Sequence, residues 1–253
     1  MITQNQIKEL AEYYQIDEFT VFREYLQLLF LNYLYRHKKS TKIYFKGGTA
    51  IHLLLISPRF SEDLDFSTSH DKKQIKEIVR EINQELGKEL LGIKTSILYQ
   101  GKKSIRLRLQ YLSSYFKYPF VLRLDFAEKE KPERVITSPL VTKFPLVFPV
   151  ISHLSAKEIL AEKIRALLTR GKGRDIFDLW FLLEKGVKIN KGLVEKKLKE
   201  INKQFSQEKL VKKIKSFPLK KLESDLNQFL PQQQRKMVKT LKERLGKTIK
   251  AAF

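Results

Sequence analysis

The sequence predicts an α/β (α+β) domain with a mixed sheet, followed by a helical-bundle domain, on three observations. Apolar stretches of strand length alternate with helical-period stretches over the first 150 residues or so. A loop carrying Pro139, Pro145 and Pro149 then covers Thr137 to Ile151. Beyond it every periodic segment is helical, to about Leu245. The boundary is placed in the proline loop, dividing residues 1–150 from residues 151–253.

Taken in order, Ile7 to Arg36 carries Phe19, Phe22, Tyr25, Leu26, Leu29, Phe30 and Tyr33 at helical spacing and reads as helices. A strand follows at Lys42 to Phe45. Thr49 to Ile56 is a short apolar helix stopped by Ser57 and Pro58. Asp63 to Phe66 is the next strand. Asp71 to Leu86 reads as an amphipathic charged helix ending at Gly87. Three strands come next, Ile93 to Tyr99, Ser104 to Tyr111 and Phe120 to Phe126, and Gly101 suggests a hairpin between the first two. In the second, Ile105, Leu107 and Leu109 alternate with Arg106, Arg108 and Gln110, the pattern of a half-buried strand with a basic outer face. In the second domain Ser155 and Glu158 are spaced as a capping box. The helix they open runs to about Arg170 and stops at Gly171-Lys172-Gly173. Another helix begins near Arg174 and Asp175, and three or four Lys-rich helices follow, with breaks at Pro218 and Pro231.

Composition bounds the function. The 253 residues, 42% hydrophobic and 31% charged, describe a soluble globular protein able to bury a core. No apolar run approaches the roughly 20 residues that cross a bilayer, and residues Met1 to Gln6 carry no secretion signal. A cytoplasmic location is expected. Cysteine is absent, which excludes disulfides and thiolate metal sites. His37, His52, His70 and His153 share no metal-ligand spacing, so zinc is not expected. Neither a Gly-x-Ser-x-Gly elbow nor a Walker pattern occurs. The net charge is +22, and from Phe181 to Phe253 there are 20 Lys and Arg against 7 Asp and Glu, a net +13. Such a surplus suits a polyanion such as RNA, because lysines and arginines displace phosphate counterions. The plainer reading is a lysine-rich solvated surface.

One constellation carries chemistry. Gly47 and Gly48 follow an apolar strand and open a helix, where backbone N–H groups are offered to a phosphate. Asp63 and Asp65 lie two residues apart, and on a strand they point the same way. Paired carboxylates on one face suit a hard divalent cation such as Mg²⁺. Asp125 ends a further apolar strand and supplies a third carboxylate of the kind that two-metal phosphoryl-transfer sites use.

Gly47-Gly48-Thr49, then Pro58-Arg59-Phe60-Ser61-Glu62-Asp63-Leu64-Asp65-Phe66-Ser67, resembles the abortive-infection toxin nucleotidyltransferases of the AbiEii/AbiGii type. The resemblance continues in Glu158 to Leu167 and in Arg174 to Leu179, and spans roughly residues 40 to 185. It implies a polymerase-β-like nucleotidyltransferase domain, Mg²⁺ (or Mn²⁺) as cofactor, and transfer of NMP from NTP with release of pyrophosphate. It further implies a toxin of a toxin–antitoxin or phage-defence system, with a cognate antitoxin as partner. Related members add nucleotides to the 3′ end of tRNA. By position, Gly47, Gly48 and Thr49 match the phosphate-binding start and Ser61 a further triphosphate contact. Asp63 and Asp65 match the metal carboxylates, Asp125 the third carboxylate, and Lys163 a helical lysine on the nucleotide phosphates. Asp175 and Asp178 both fall in the last motif, and either is the functional one. Lys46 and Arg59 flank the site, to meet phosphate or to pair with Glu62. His52 stands where the family often has an arginine. Two rival expectations remain: a small-molecule or protein hydroxyl as acceptor, and an inactive NTP- or RNA-binding module.

Overall fold

A computed structural model describes residues 1–144 and 150–252, with side chains to residue 249. It divides into two compact units, Met1–Ile56 with Phe60–Leu154, and Ser57–Arg59 with Ser155–Phe253. The division is therefore not a single cut.

The first unit is built on a seven-stranded mixed sheet of β1 (Ile43–Lys46), β2 (Leu64–Thr68), β3 (Lys94–Gln100), β4 (Ser104–Tyr111), β5 (Phe120–Glu128), β6 (Val135–Pro139) and β7 (Val150–Leu154), in the order β3-β4-β5-β2-β1-β7-β6. Strands β1 and β7, and β2 and β5, pair in parallel; the other neighbours are antiparallel. The α-helices of the unit among the described residues are α1 (Gln4–Tyr14), α2 (Glu18–Arg36), α3 (Gly47–Leu55) and α4 (Lys72–Glu89). Helix α2 packs on α1, α4, β5 and β7, and its residues Val21, Phe22, Leu28, Leu29 and Leu31 are all buried. It starts at Asp17, whose carboxylate accepts the Thr20 N–H.

Period two explains how the sheet divides core from site. Phe45, Phe66 and Phe126 are successive register partners across β1, β2 and β5, and all are at most 1% exposed. The Phe66 and Phe126 rings stack with centroids 4.9 Å apart. Each such ring contributes about 2–3 kcal/mol by leaving water. One residue along, the opposite face carries Lys46, Asp65, Asp125 and Arg106 as the next row of register partners on β1, β2, β5 and β4. The same alternation that buries phenylalanines thus aligns charges on the other side.

The second unit is helical: α5 (Ala156–Thr169), α6 (Gly173–Glu184), α7 (Lys191–Lys199), α8 (Gln207–Lys215), α9 (Leu219–Asn227) and α10 (Val238–Ala252). Helix α6 packs on α5, α9 and α10, and α5 also on α7 and α8. The four helices after α6 agree with the three or four expected.

Several local expectations are corrected. Strands β6 and β7 lie where a proline loop was expected. Pro139 ends an edge strand, a position that needs no N–H donor, and Pro145 and Pro149 lie outside the described residues. Strand β2 starts at Leu64, so Asp63 immediately precedes it. Helix α4 runs past Gly87 to Glu89. Only half the expected capping box forms on α5. Ser155 accepts the Glu158 N–H, but the Glu158 carboxylate is fully buried and pairs with Lys197 on α7 at 3.0 Å. A buried counter-ion outcompetes a frayed backbone donor for the carboxylate.

Candidate active site

The glycine start of α3 meets the acidic strand directly. Gly47 has φ +83°, a left-handed conformation open to glycine. A Cβ placed there would stand 2.1 Å from Asp65 Oδ2. The missing side chain is therefore what lets the Asp65 carboxylate lie against the first turn of α3. Among the described residues no side chain caps this helix N-terminus, so the local dipole and the first N–H groups face the same place as the carboxylate. Thr49 is fully buried, and its hydroxyl donates to the Asp63 carbonyl oxygen. The Thr49 side chain thus has a positioning role: it pins α3 to the residue leading into β2. Ser61 is half-buried, and among the described residues only its carbonyl is engaged, by Gln27 Nε2 at 3.0 Å.

Arginines hold two of the three expected carboxylates. Arg123 Nε lies 2.6 Å from Asp63 Oδ1, and Arg106 Nε 2.5 Å from Asp125 Oδ1. Arg123 also approaches Glu62 at 3.6 Å, and Arg23 reaches Glu62 from α2 at 3.5 Å. For Arg106 the bond to Asp125 outweighs burial and raises its pKa. For Arg123 burial acts downward, and Asp63 more than offsets it. Among the described residues no three His, Asp or Glu groups are close enough to hold a metal ion. The physical reason is repulsion: carboxylates on one sheet face turn to the nearest cations. The donor chemistry still fits a hard divalent cation, since Asp63 and Asp65 flank Leu64 at period two and Asp125 is the register partner of Asp65.

Lys46, expected to meet phosphate or Glu62, is buried and pairs with Glu130, whose carboxylate also accepts from Ser67 Oγ at 2.5 Å. The segment after β5 thus closes over β1 and β2. His52 Nε2 sits 2.9 Å from Glu24 Oε2, and its ring packs on Phe60 with centroids 4.5 Å apart. In this chain the position therefore ties α3 to α2.

The helical unit contains a second charged cluster. Lys163 Nζ lies 2.7 Å from Asp178 Oδ2 and 3.3 Å from Asp175 Oδ1. Arg59 donates through Nε and Nη2 to the two oxygens of Asp178 at 2.8 and 3.0 Å, a bidentate pair. Arg170 holds Asp175 at 3.2 Å. Arg59 is 2% exposed and Asp178 fully buried. Arg59, expected among the nucleotide contacts, is therefore an internal counter-ion, because its guanidinium already spans a carboxylate away from water. Lys163 is 7% exposed, so its ammonium does not reach out along the helix to solvent. Burial pulls the Lys163 pKa down, but Asp178 and Asp175 prevail and leave it raised. Burial pushes both aspartates up. Lys163 and Arg170 outweigh it at Asp175, and Arg59 and Lys163 do so at Asp178, leaving both lowered. Lys163, Asp175 and Asp178 are therefore ionised at neutral pH. Of three ammonium N–H donors on Lys163, two are used by the aspartates.

Sequence reasoning missed the arginine partners. Arg123 stands two residues before Asp125 on one strand, and that spacing was the available signal. The α6 cap, Asp225 Oδ2 accepting the Gly173 N–H at 2.7 Å, joins residues 52 apart and left no local trace.

Comparison with known proteins adds a family and a fold. A family described as nucleotidyl transferase AbiEii toxin, type IV TA system, matches residues 29–252. An uncharacterised protein of Aquifex aeolicus (strain VF5) is 30% identical over 164 residues, 63% of this chain and 68% of that protein. MenT4, a nucleotidyltransferase toxin of Mycobacterium tuberculosis, superposes with TM-score 0.67 at 17% identity, over 98% of this chain and 89% of its own. JHP933 of Helicobacter pylori superposes with TM-score 0.58 at 21% identity, over 94% and 93%. At these identities the solved structures speak for the fold.

Proposed function

Because the chain belongs to the AbiEii nucleotidyltransferase toxin family, of type IV toxin–antitoxin systems, we propose that it transfers NMP from an NTP to the 3′ hydroxyl of an RNA, with tRNA the expected acceptor. The hydroxyl oxygen attacks the α-phosphorus, a new phosphoester forms, and pyrophosphate leaves. The observation that carries this reading is the seat of Asp65 against Gly47. A triphosphate drawn to the start of α3 meets a carboxylate there, and the two anions are compatible only with a cation between them. Asp63 and Asp65, with Asp125 opposite, are the groups to hold Mg²⁺ or Mn²⁺. When bound, such an ion screens phosphate charge and acidifies the attacking hydroxyl.

The chain's own residues supply the rest. Gly47 and Gly48 bring backbone N–H groups to the phosphates, and the half-buried Ser61 hydroxyl adds a donor. In the helical unit, Asp175 and Asp178 hold Lys163, the lysine that the family resemblance matches to a contact with the nucleotide. Asp178 is the more enclosed of the two and serves mainly to hold Arg59 and Lys163. Arg106 and Arg123 balance Asp125 and Asp63 until a cation takes their place. The RNA acceptor is supported by the +13 charge of residues 181–253 and by Lys212, Lys215, Lys242 and Lys247 along α8 and α10. A cognate antitoxin is the expected protein partner.

The test incubates the purified protein with total tRNA, Mg²⁺ and each α-labelled NTP in turn, beside Asp65→Ala. Label on RNA that disappears in the variant is expected. Label on protein or small molecules instead replaces the RNA acceptor. No label despite tight NTP binding indicates an inactive binding module.

A further inference from the structure

The sheet face that carries the carboxylates does not stop at them. Tyr99 on β3 is the register partner of Arg106, which is the partner of Asp125, which is the partner of Asp65. These four form one row across β3, β4, β5 and β2, on one side of the sheet. At about 4.8 Å per strand, Tyr99 lies some 14 Å along the row from Asp65. The next row holds Ser96, Arg108 and Arg123.

Two features of the outer end of this row fit a ligand. Tyr99 is 56% exposed, and its ring lies against Gly101, where a Cβ would come within 2.3 Å of the phenolic oxygen. Glycine thus gives the ring a flat seat while most of the residue stays open to solvent. The charge beside it is in surplus. Arg106 and Arg123 are balanced by Asp125 and Asp63. Among the described residues Arg108 makes only a 3.3 Å contact with the Ser96 hydroxyl, and Lys102 and Lys103 are exposed in the turn between β3 and β4.

We propose that this face is the track for the single-stranded 3′ segment of the acceptor RNA. Tyr99 stacks a base, and Arg108 with Lys102 and Lys103 contacts phosphates. The proposal rests on the RNA-acceptor reading and adds where the acceptor lies. An exposed aromatic among cations on an open sheet suits unpaired bases, whose faces are free to stack. A duplex hides those faces. The track ends at the carboxylates, where the terminal hydroxyl has to react.

The test measures binding of a fluorescein-labelled single-stranded RNA of about a dozen nucleotides to the full chain, in EDTA and without NTP. Tyr99→Ala is expected to weaken binding about tenfold, while Tyr99→Phe keeps the ring and binds as wild type. Arg108→Ala is expected to weaken binding and lower the salt slope by about one. Photo-crosslinking of 4-thiouridine RNA should label peptides within residues 94–111. Equal binding by wild type, Tyr99→Ala and Arg108→Ala, no binding by wild type, or crosslinks confined to residues 155–253, overturns the proposal. Tyr99-dependent binding without nucleotidyl transfer removes the transfer reading and keeps the track. Transfer whose KM for RNA is unchanged in Tyr99→Ala removes the track alone.

Discussion

Replacing Gly47 by alanine separates backbone strain from displacement of a carboxylate. At φ +83° an L-residue costs about 1–2 kcal/mol. The new Cβ also meets Asp65 at 2.1, 2.8 and 2.9 Å, where ordinary contact begins at 3.4 Å. The carboxylate oxygen must therefore retreat by about 1.3 Å. A shift of that size at a reacting centre costs roughly 100-fold in rate. Gly92 supplies the control, because it has φ +82° and nothing within 4 Å of the place a Cβ would take. Gly92→Ala should lose stability by the backbone penalty alone and keep its activity. Gly47→Ala should lose at least as much stability, and about 100-fold or more in nucleotidyl transfer. The assay is label transfer to RNA at saturating NTP, with thermal unfolding measured on the same samples. If Gly47→Ala transfers within threefold of wild type, Asp65 does not act from its seat against α3, and the argument for the site fails.

Three further outcomes are expected. In the helical unit, Asp178→Leu removes the buried carboxylate that Arg59 and Lys163 share and should cost about 3–5 kcal/mol. Adding Arg59→Met should recover part of that loss, so urea unfolding that shows strictly additive effects would argue against the coupling. The stability contributed by Asp175 and Asp178, whose pKa values are lowered, is complete above the unfolded carboxylate pKa of about 3.9 and lost as pH falls through the folded values. That contributed by Lys163, whose pKa is raised, is complete below about 10.4 and lost as pH rises through its folded value. Melting temperature against pH should thus fall at both ends, the acid fall becoming smaller in a Lys163→Met, Asp175→Asn, Asp178→Asn variant if the cluster contributes to it. EDTA should abolish nucleotidyl transfer and Mg²⁺ or Mn²⁺ restore it; transfer that persists in EDTA would remove the metal role of Asp63 and Asp65.

What the sequence alone determined is what short-range periodicity encodes. Alternation along Ile105 to Gln110 and Leu122 to Asp125 settles which residues share a sheet face, because strand side chains alternate whatever lies nearby. The Gly47-Gly48 start and the Asp63, Asp65 spacing were legible for the same reason, as was Ser155 as a helix cap. Family membership was legible too, since its blocks are contiguous. Strands β6 and β7 were not, because β6 is an exposed edge without an apolar rhythm and proline dominates the segment between them. The counter-ions were not legible either. Arg59 and Asp178 lie 119 residues apart, Arg123 and Asp63 lie 60 apart, and Lys46 and Glu130 lie 84 apart. Each of these charges had several opposite charges available along the chain. Which one it meets depends on packing, because a charge removed from water takes the partner that the fold holds within reach. Tertiary structure therefore decided that Arg59 is internal, that Thr49 positions Asp63, and that the carboxylates face arginines.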